Sequence, residues 1–336
     1  MARILIVSAD RTTSQGWAAN LGDAFLTDTL KTALEGAGHH VVAADFGDRR
    51  VPPDEPRTRL FGLSGLLGAI RAAEFVVLGG GTMLQDDVGR GWGGLPRLAM
   101  VVSWSCRLMN RRCVFFGVGC EPGSRLMARF LLRLAVWRRT VWARETHSEL
   151  ECRALGCRDV RLGADVCLLG EPARSTRRTG GALVALARGD GPLLTAKSVE
   201  QLQAAYGNVS FIRMDQRVGD GDGEDLGVPT NTIPGPMSWR TALKYIANAD
   251  VVIASRMHAL YARLLVGGPA VAVSNRTKVI DFAEEFMVPR VLQVADVINA
   301  NPSSDAGQVQ LRRARARAWQ AFAELLQLVP AAESEQ

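Results

Sequence analysis

Short apolar runs alternate with longer amphipathic stretches along most of the chain. ARILIVSA opens the sequence, AFLTDTLKTALEGAG follows with helical spacing, and HHVVAADF is again a continuous run; GLLGAIRAA then reads as a helix and FVVLGGG as a strand. This succession predicts the βαβ units of a parallel, doubly wound sheet. The apolar series continues through RLAMVVSW, RCVFFGVG, TVWAR and VRLGADVCLL, with helices expected over residues 124–137 and over HSELECRALG. The alternation breaks at GEPARSTRRTGG, residues 170–181, which is rich in Gly, Pro, Ser and Arg and has no apolar period. It restarts with ALVALAR, a helix near TAKSVEQLQAAYG, the run NVSFIRMD, a polar loop, a helix over SWRTALKYIANA, and VVIASRMHALYARLLVGGPAVAV. The expected division is therefore one domain over residues 1–170, a second over 181–300, and a C-terminal helix and tail over 301–336. Two α/β halves joined by a linker suggest a cleft between them, with ligands collecting beyond the carboxyl ends of the strands.

Composition narrows the class. With 47% apolar and 22% charged residues, the 336-residue chain belongs among globular α/β proteins, and its formal charge of +6 points to anionic partners. The start MARILIVSAD lacks the features of a signal peptide, so a cytoplasmic location is expected. Arg129 and Arg133 interrupt the best apolar stretch, which excludes a spanning helix there. The six cysteines form no C-x-x-C pair and read as buried free thiols; no metal site is expected.

Candidate chemistry gathers at predicted strand ends. Arg256 and His258 stand in the first turn of a predicted helix, where each opposes the helix dipole at a cost of about 0.3–1 kcal/mol. An anion at that position reverses the sign, since amide N–H groups, a guanidinium and an imidazole together bind phosphate or carboxylate. The alternative is that Arg256 pairs with a nearby acid such as Asp250 and His258 is a satisfied core residue. NLGDAF places Asn20 and Gly22 at a turn and Asp23 at a helix start, where an N-cap is the plain reading. LGGGTMLQDD brings Gly79, Gly80 and Gly81 to a strand end, permitting close backbone approach to a ligand; a tight turn is as good an account. Arg144 ends another strand, with Thr146 and Glu149 spaced for a capping box. SNRTKVIDF adds Arg276 and Lys278, which a solvated loop would explain equally well.

Three charged segments have plainer readings. Arg125, Arg129 and Arg133 recur every four residues and are expected on one helix face opposite Leu126, Phe130, Leu134 and Trp137. That face is a solvated one or one resting on anionic lipid. The arginines of LRRARARAW read as a solvated face, and neither segment carries the aromatic interleaving of a nucleic-acid reader. The loop RVGDGDGEDLG misses the EF-hand spacing and reads as a mobile rim.

Four blocks in order, NLGD, GGGTMLQD, ARETHSELECRALGCRDVRLGAD and ADVVIASRMHALYARLLVGGPAVAVSNRTKVIDF, resemble the polysaccharide pyruvyl transferase family. The resemblance implies two Rossmann-like domains facing a cleft, in the manner of GT-B glycosyltransferases, with acceptor side first and donor side second. It implies transfer of the pyruvyl group of phosphoenolpyruvate to hydroxyls of a sugar or lipid-linked glycan, forming a ketal and releasing phosphate without a further cofactor. By that resemblance Arg256 and His258 stand in an R-x-H motif, Arg144 and Ser148 in an R-[DE]-x-x-S motif, and Lys278, with Arg276, in a basic position after the later strand; all six are expected to bind the donor. His258 becomes the candidate acid, with Asp23 and Asp165 as weaker candidates on the acceptor. Contact with the inner face of a membrane fits such an acceptor. A nucleotide-sugar glycosyltransferase, pyruvyl or enolpyruvyl transfer to a non-glycan small molecule, and a non-catalytic anion binder are the alternatives.

Overall fold

The computed structural model describes residues 1–86, 94–171, 180–227, 231–300 and 305–330, so most of the expected linker lies outside the described residues. The chain divides into two compact units, residues 1–16, 23–170 and 315–336 forming the first and residues 17–22 and 171–314 the second.

The first unit runs β1 (Arg3–Val7), α1 (Leu21–Gly36), β2 (His40–Asp45), β3 (Thr58–Arg59), α2 (Gly62–Ala72), β4 (Phe75–Gly79), β5 (Leu84–Gln85) and α3 (Gly94–Leu108). It continues with β6 (Arg112–Val118), β7 (Cys120–Glu121), α4 (Leu126–Val136), β8 (Thr140–Ala143), α5 (Thr146–Ala154) and β9 (Asp159–Leu162). Seven strands form one sheet in the order β3-β2-β1-β4-β6-β8-β9, with every pairing parallel. Strands buried on both faces need unbroken apolar runs, which is why Phe75, Val76, Val77 and Leu78 all lie within the core.

The second unit holds β10 (Ala182–Ala185), α6 (Ala196–Tyr206), β11 (Val209–Phe211), β12 (Asn231–Thr232), α7 (Trp239–Asn248), β13 (Val251–Ala254), α8 (Met257–Leu265), β14 (Ala270–Val273), α9 (Thr277–Glu285) and β15 (Arg290–Val291). Its sheet order is β12-β11-β10-β13-β14-β15, again parallel throughout. The order reverses between β1 and β4 in the first unit and between β10 and β13 in the second, giving each sheet one switch point. Of the last helix, α10 (Asp305–Leu328), residues up to Ala314 count with the second unit and those from Arg315 with the first.

Three expectations change in detail. RLAMVVSW, placed in the apolar series, is part of helix α3, which buries Ala99, Val102, Ser103 and Cys106 at helical spacing. A short apolar run does not by itself separate a buried helix from a strand. In α4 the arginine row is not opposite Leu126 and Phe130 but beside them. At about 100° per residue, rows one position apart are neighbours, and the helix packs instead through Ala128, Leu131, Leu132, Ala135 and Val136. In α10 Arg315 is not merely solvated, since its guanidinium donates to the carbonyls of Leu168 and Gly170 at 3.3 and 3.0 Å.

All six cysteines are buried and free, as their spacing led us to expect. Burial pushes the Cys157 thiol up to about 12 and raises that of Cys167 as well, so both stay protonated at neutral pH. No helix among the described residues is long and apolar enough to cross a membrane.

Candidate active site

In the second unit, two neighbouring strands end in the same way. β13 is followed by Ser255 and Arg256, and α8 starts at Met257; β14 is followed by Ser274, Asn275 and Arg276, and α9 starts at Thr277. Arg256 and Arg276 occupy the N-cap positions, and His258 and Lys278 the second helical positions. Neither arginine caps its helix through its side chain. Two adjacent helices thus present amide N–H groups and a pair of basic side chains at the carboxyl end of one sheet. β13 itself borders the switch point, where ligands collect in open α/β sheets. A cation at a helix start carries a small local cost, and here two such starts stand side by side at the ends of adjacent strands.

The loops after these strands are tied together. Ser255 Oγ accepts from the Ala187 N–H at 2.8 Å, and Ser274 Oγ accepts from the Arg276 N–H at 3.0 Å. The Arg276 guanidinium donates to the Arg188 carbonyl at 2.9 Å and lies 3.4 Å from Asp190. Arg256 is held by a carboxylate, though not by Asp250, which accepts from the Gly181 N–H instead. Its Nε lies 2.9 Å from Asp222 Oδ2, its Nη2 donates to Asp222 Oδ1, and Asp215 stands 3.5 Å away.

Asp222 comes from the acidic loop expected to be a mobile rim, and the structure corrects that reading. The side chain is fully buried and also accepts from the N–H groups of Arg188, Met214 and Asp215. Asp225 accepts from Gly189 and Gly191. Asp222 and Asp225 thus tie the loop to the end of β10 and the start of α8, while residues 217–220 are exposed.

His258 is set by a glycine distant in sequence. A methyl group built on Gly22 falls 2.3 Å from His258 Nδ1, so the imidazole occupies the space a side chain at position 22 would need. Asn20 reaches the same place: its Oδ1 accepts from the Gly22 N–H at 2.8 Å, and its backbone bridges to Asp215. The N-cap expected at Asp23 is thus supplied by Asn20, because α1 begins two residues before Asp23. On its other side His258 stacks near Tyr261, with ring centroids 6.4 Å apart.

The remaining candidates belong to the first unit. Arg144 is buried, bound through Nε to Glu145 and 3.8 Å from Asp165. Ser148 donates to Glu145 and accepts from the Cys120 N–H at 2.7 Å. Gly119 leaves room for the guanidinium, since a methyl group there would lie 2.8 Å from Arg144 Cζ. The capping box expected of Thr146 and Glu149 does not form. Glu145 takes the N-cap position without a side-chain cap, and Glu149 pairs with Arg153 at 2.7 Å. Asp165 accepts from the Cys167 N–H at 3.0 Å and caps a short turn. Gly79, Gly80 and Gly81 allow α1 to approach β4: their missing side chains would meet Leu30, Leu26 and Asp23 Oδ1 at 2.6, 2.9 and 2.7 Å.

Sequence reading missed one further cluster in this unit. Beyond β1 and β2, buried Arg50 binds Asp10 and Glu55 at 2.8 and 2.7 Å, and buried Arg57 binds Asp10 at 2.8 Å and also reaches Asp28. Asp45, Asp48, Arg49 and Arg59 join Arg50 and Arg57 in lining a cavity of about 360 Å³.

The family model described as polysaccharide pyruvyl transferase matches residues 20–277, from Asn20 to Thr277. The chain belongs to this family. It is a transferase, and its role is pyruvyl transfer on polysaccharides. The matched span takes in Asn20, Gly22, Arg144, Ser148, Asp222, Arg256, His258 and Arg276, while Lys278 stands one residue beyond it. No curated protein matches the chain.

Among solved structures, a Staphylococcus aureus MnaA–UDP co-structure is 9% identical over all of both chains, with a TM-score of 0.59. UDP-GlcNAc 2-epimerase from Methanocaldococcus jannaschii is 8% identical over 94% of this chain and 99% of its own, with a TM-score of 0.57. HepE from Anabaena, solved with UDP and glucose, is 11% identical over 98% and 100%, with a TM-score of 0.58. These likenesses give the pyruvyl transferase the two-domain, Rossmann-like architecture of the GT-B type.

In this family member, Gly22→Ala is expected to lower transfer about a hundredfold, because the added methyl forces the His258 ring out of place. Thermal unfolding should shift little, since the ring has only to rotate away. Wild-type turnover in the variant would show that the His258 position does not matter.

Proposed function

We propose that this pyruvyl transferase takes its pyruvyl group from phosphoenolpyruvate and sets it as a ketal on two hydroxyls of a sugar in a glycan intermediate. The observation that carries the reading is the pair of helix starts, Arg256 with His258 and Arg276 with Lys278, at the end of adjacent strands. Phosphoenolpyruvate carries a phosphate and a carboxylate a few atoms apart, and two adjoining cationic helix starts match that pairing of charges. Asp222 fixes the Arg256 guanidinium so that it need not be ordered when the donor arrives.

The chemistry follows from the enol. His258 gives a proton to C3 of phosphoenolpyruvate, which becomes the methyl group, and positive charge develops at C2. One acceptor hydroxyl bonds to C2 and loses its proton. The bond from C2 to the phosphate oxygen breaks, and a second hydroxyl closes the ring as its own proton leaves. One proton has gone onto C3 and two have come off hydroxyls. The departing phosphate takes up one of these and the imidazole regains the other. Arg256 and Lys278 stabilise the leaving phosphate electrostatically.

The test is incubation of the protein with phosphoenolpyruvate and candidate glycan acceptors. Phosphate release that depends on the acceptor, with a methyl ketal in the product, is the expected result. Turnover of a UDP-sugar, with none of phosphoenolpyruvate, would overturn it in favour of a glycosyltransferase that places a diphosphate on the same helix starts.

A further inference from the structure

We propose that the outward face of α4 docks the protein on an anionic lipid surface. The helix packs through its small and aliphatic side, yet the side facing solvent is also apolar: Leu126 is 85% exposed, Phe130 55%, Met127 47% and Trp137 41%. An ordinary solvated helix is polar on that side. Here the apolar stripe runs the length of the helix, and Leu108, at the end of α3, which packs against α4, is 82% exposed. Apolar patches of this kind mark interaction sites.

The charge around the stripe selects the occupant. From Gly94 to Arg139 the sequence holds a single acid, Glu121, while arginines recur throughout. Arg133 projects into solvent on the stripe itself, and Arg129 borders it. Arg107 and Arg138 sit over the Trp137 ring at 4.5 and 4.9 Å, and Trp104 stacks on Trp137 at 5.7 Å. An indole ringed by guanidiniums, beside Leu, Met and Phe, is the composition of an interfacial helix: apolar side chains enter the acyl boundary and cations remain among the headgroups. A second copy of the same face would set arginines against arginines, which disfavours self-association. Anionic lipid complements both parts of the surface. This inference does not depend on the donor, and it stands whether or not phosphoenolpyruvate is the substrate.

The test is flotation of the full chain with vesicles of phosphatidylcholine alone and of phosphatidylcholine with roughly one third phosphatidylglycerol. Binding to the second and not the first, weakened by added salt, is expected. Leu126→Ser combined with Phe130→Ser should weaken binding at least tenfold, as should Arg133→Glu combined with Arg138→Glu. Both pairs are exposed, so the melting temperature should stay at the wild-type value. Three results would overturn the proposal: no binding to the anionic vesicles, binding indifferent to both double variants, or a dimer in sedimentation that the Leu126 and Phe130 changes dissolve while no lipid is bound.

Discussion

Replacing His258 with alanine is expected to lower acceptor-dependent phosphate release by about a thousandfold, in the range that removal of a general acid produces. Under the proposed assignment the donor should still bind measurably, because Arg256, Lys278 and the helix amides remain when the imidazole is removed. Titration calorimetry with phosphoenolpyruvate separates the two effects: turnover falls while the binding heat persists. A variant that keeps a tenth of the wild-type rate would remove His258 from the acid role and leave the donor assignment to be tested through Lys278→Met, which should raise KM.

The second large effect is expected at Asp222. Its carboxylate is fully buried, binds the Arg256 fork and accepts from three backbone N–H groups. Asp222→Ala leaves a partly buried guanidinium and those N–H groups short of their acceptor. The expected loss is about 3 kcal/mol of unfolding free energy, the lower end for breaking a buried pair, since Asp215 remains 3.5 Å from Arg256. Urea unfolding measures it. Arg256→Met in the same background should recover part of the loss, because the stranded charge goes with it. A loss below about 1 kcal/mol would mean that Asp215 alone satisfies the arginine.

The candidate site was partly legible for a physical reason that differs residue by residue. Arg256, His258, Arg276 and Lys278 stood out because a cation at a helix start is locally unfavourable, and that conflict is visible wherever strand and helix periods meet. Asp222 carried no such mark. An acid in a Gly- and Asp-rich loop looks like surface, and only the fold of residues 209–227 brings it against Arg256. Arg144 was legible as a cation at a strand end, but its two carboxylate partners, Glu145 and Asp165, were not, because the second lies on another strand's loop. In α4 the misplacement had a different origin. The arginine row and the apolar row lie side by side rather than on opposite faces, since Ala128, Leu131, Leu132, Ala135 and Val136 fill the packing face.

By itself the sequence determined most of the strand and helix succession, the parallel α/β class and the family, because these depend on local periodicity and on ordered blocks along the chain. Tertiary structure alone decided which carboxylate holds Arg256, that Gly22 must lack a side chain so that His258 can occupy its place, and that among the described residues the stripe on α4 is uncovered. Each of these is a contact, or the lack of one, between positions far apart in the chain. No local pattern encodes it, because burial and ion pairing are set by what the folded backbone brings within a few ångströms.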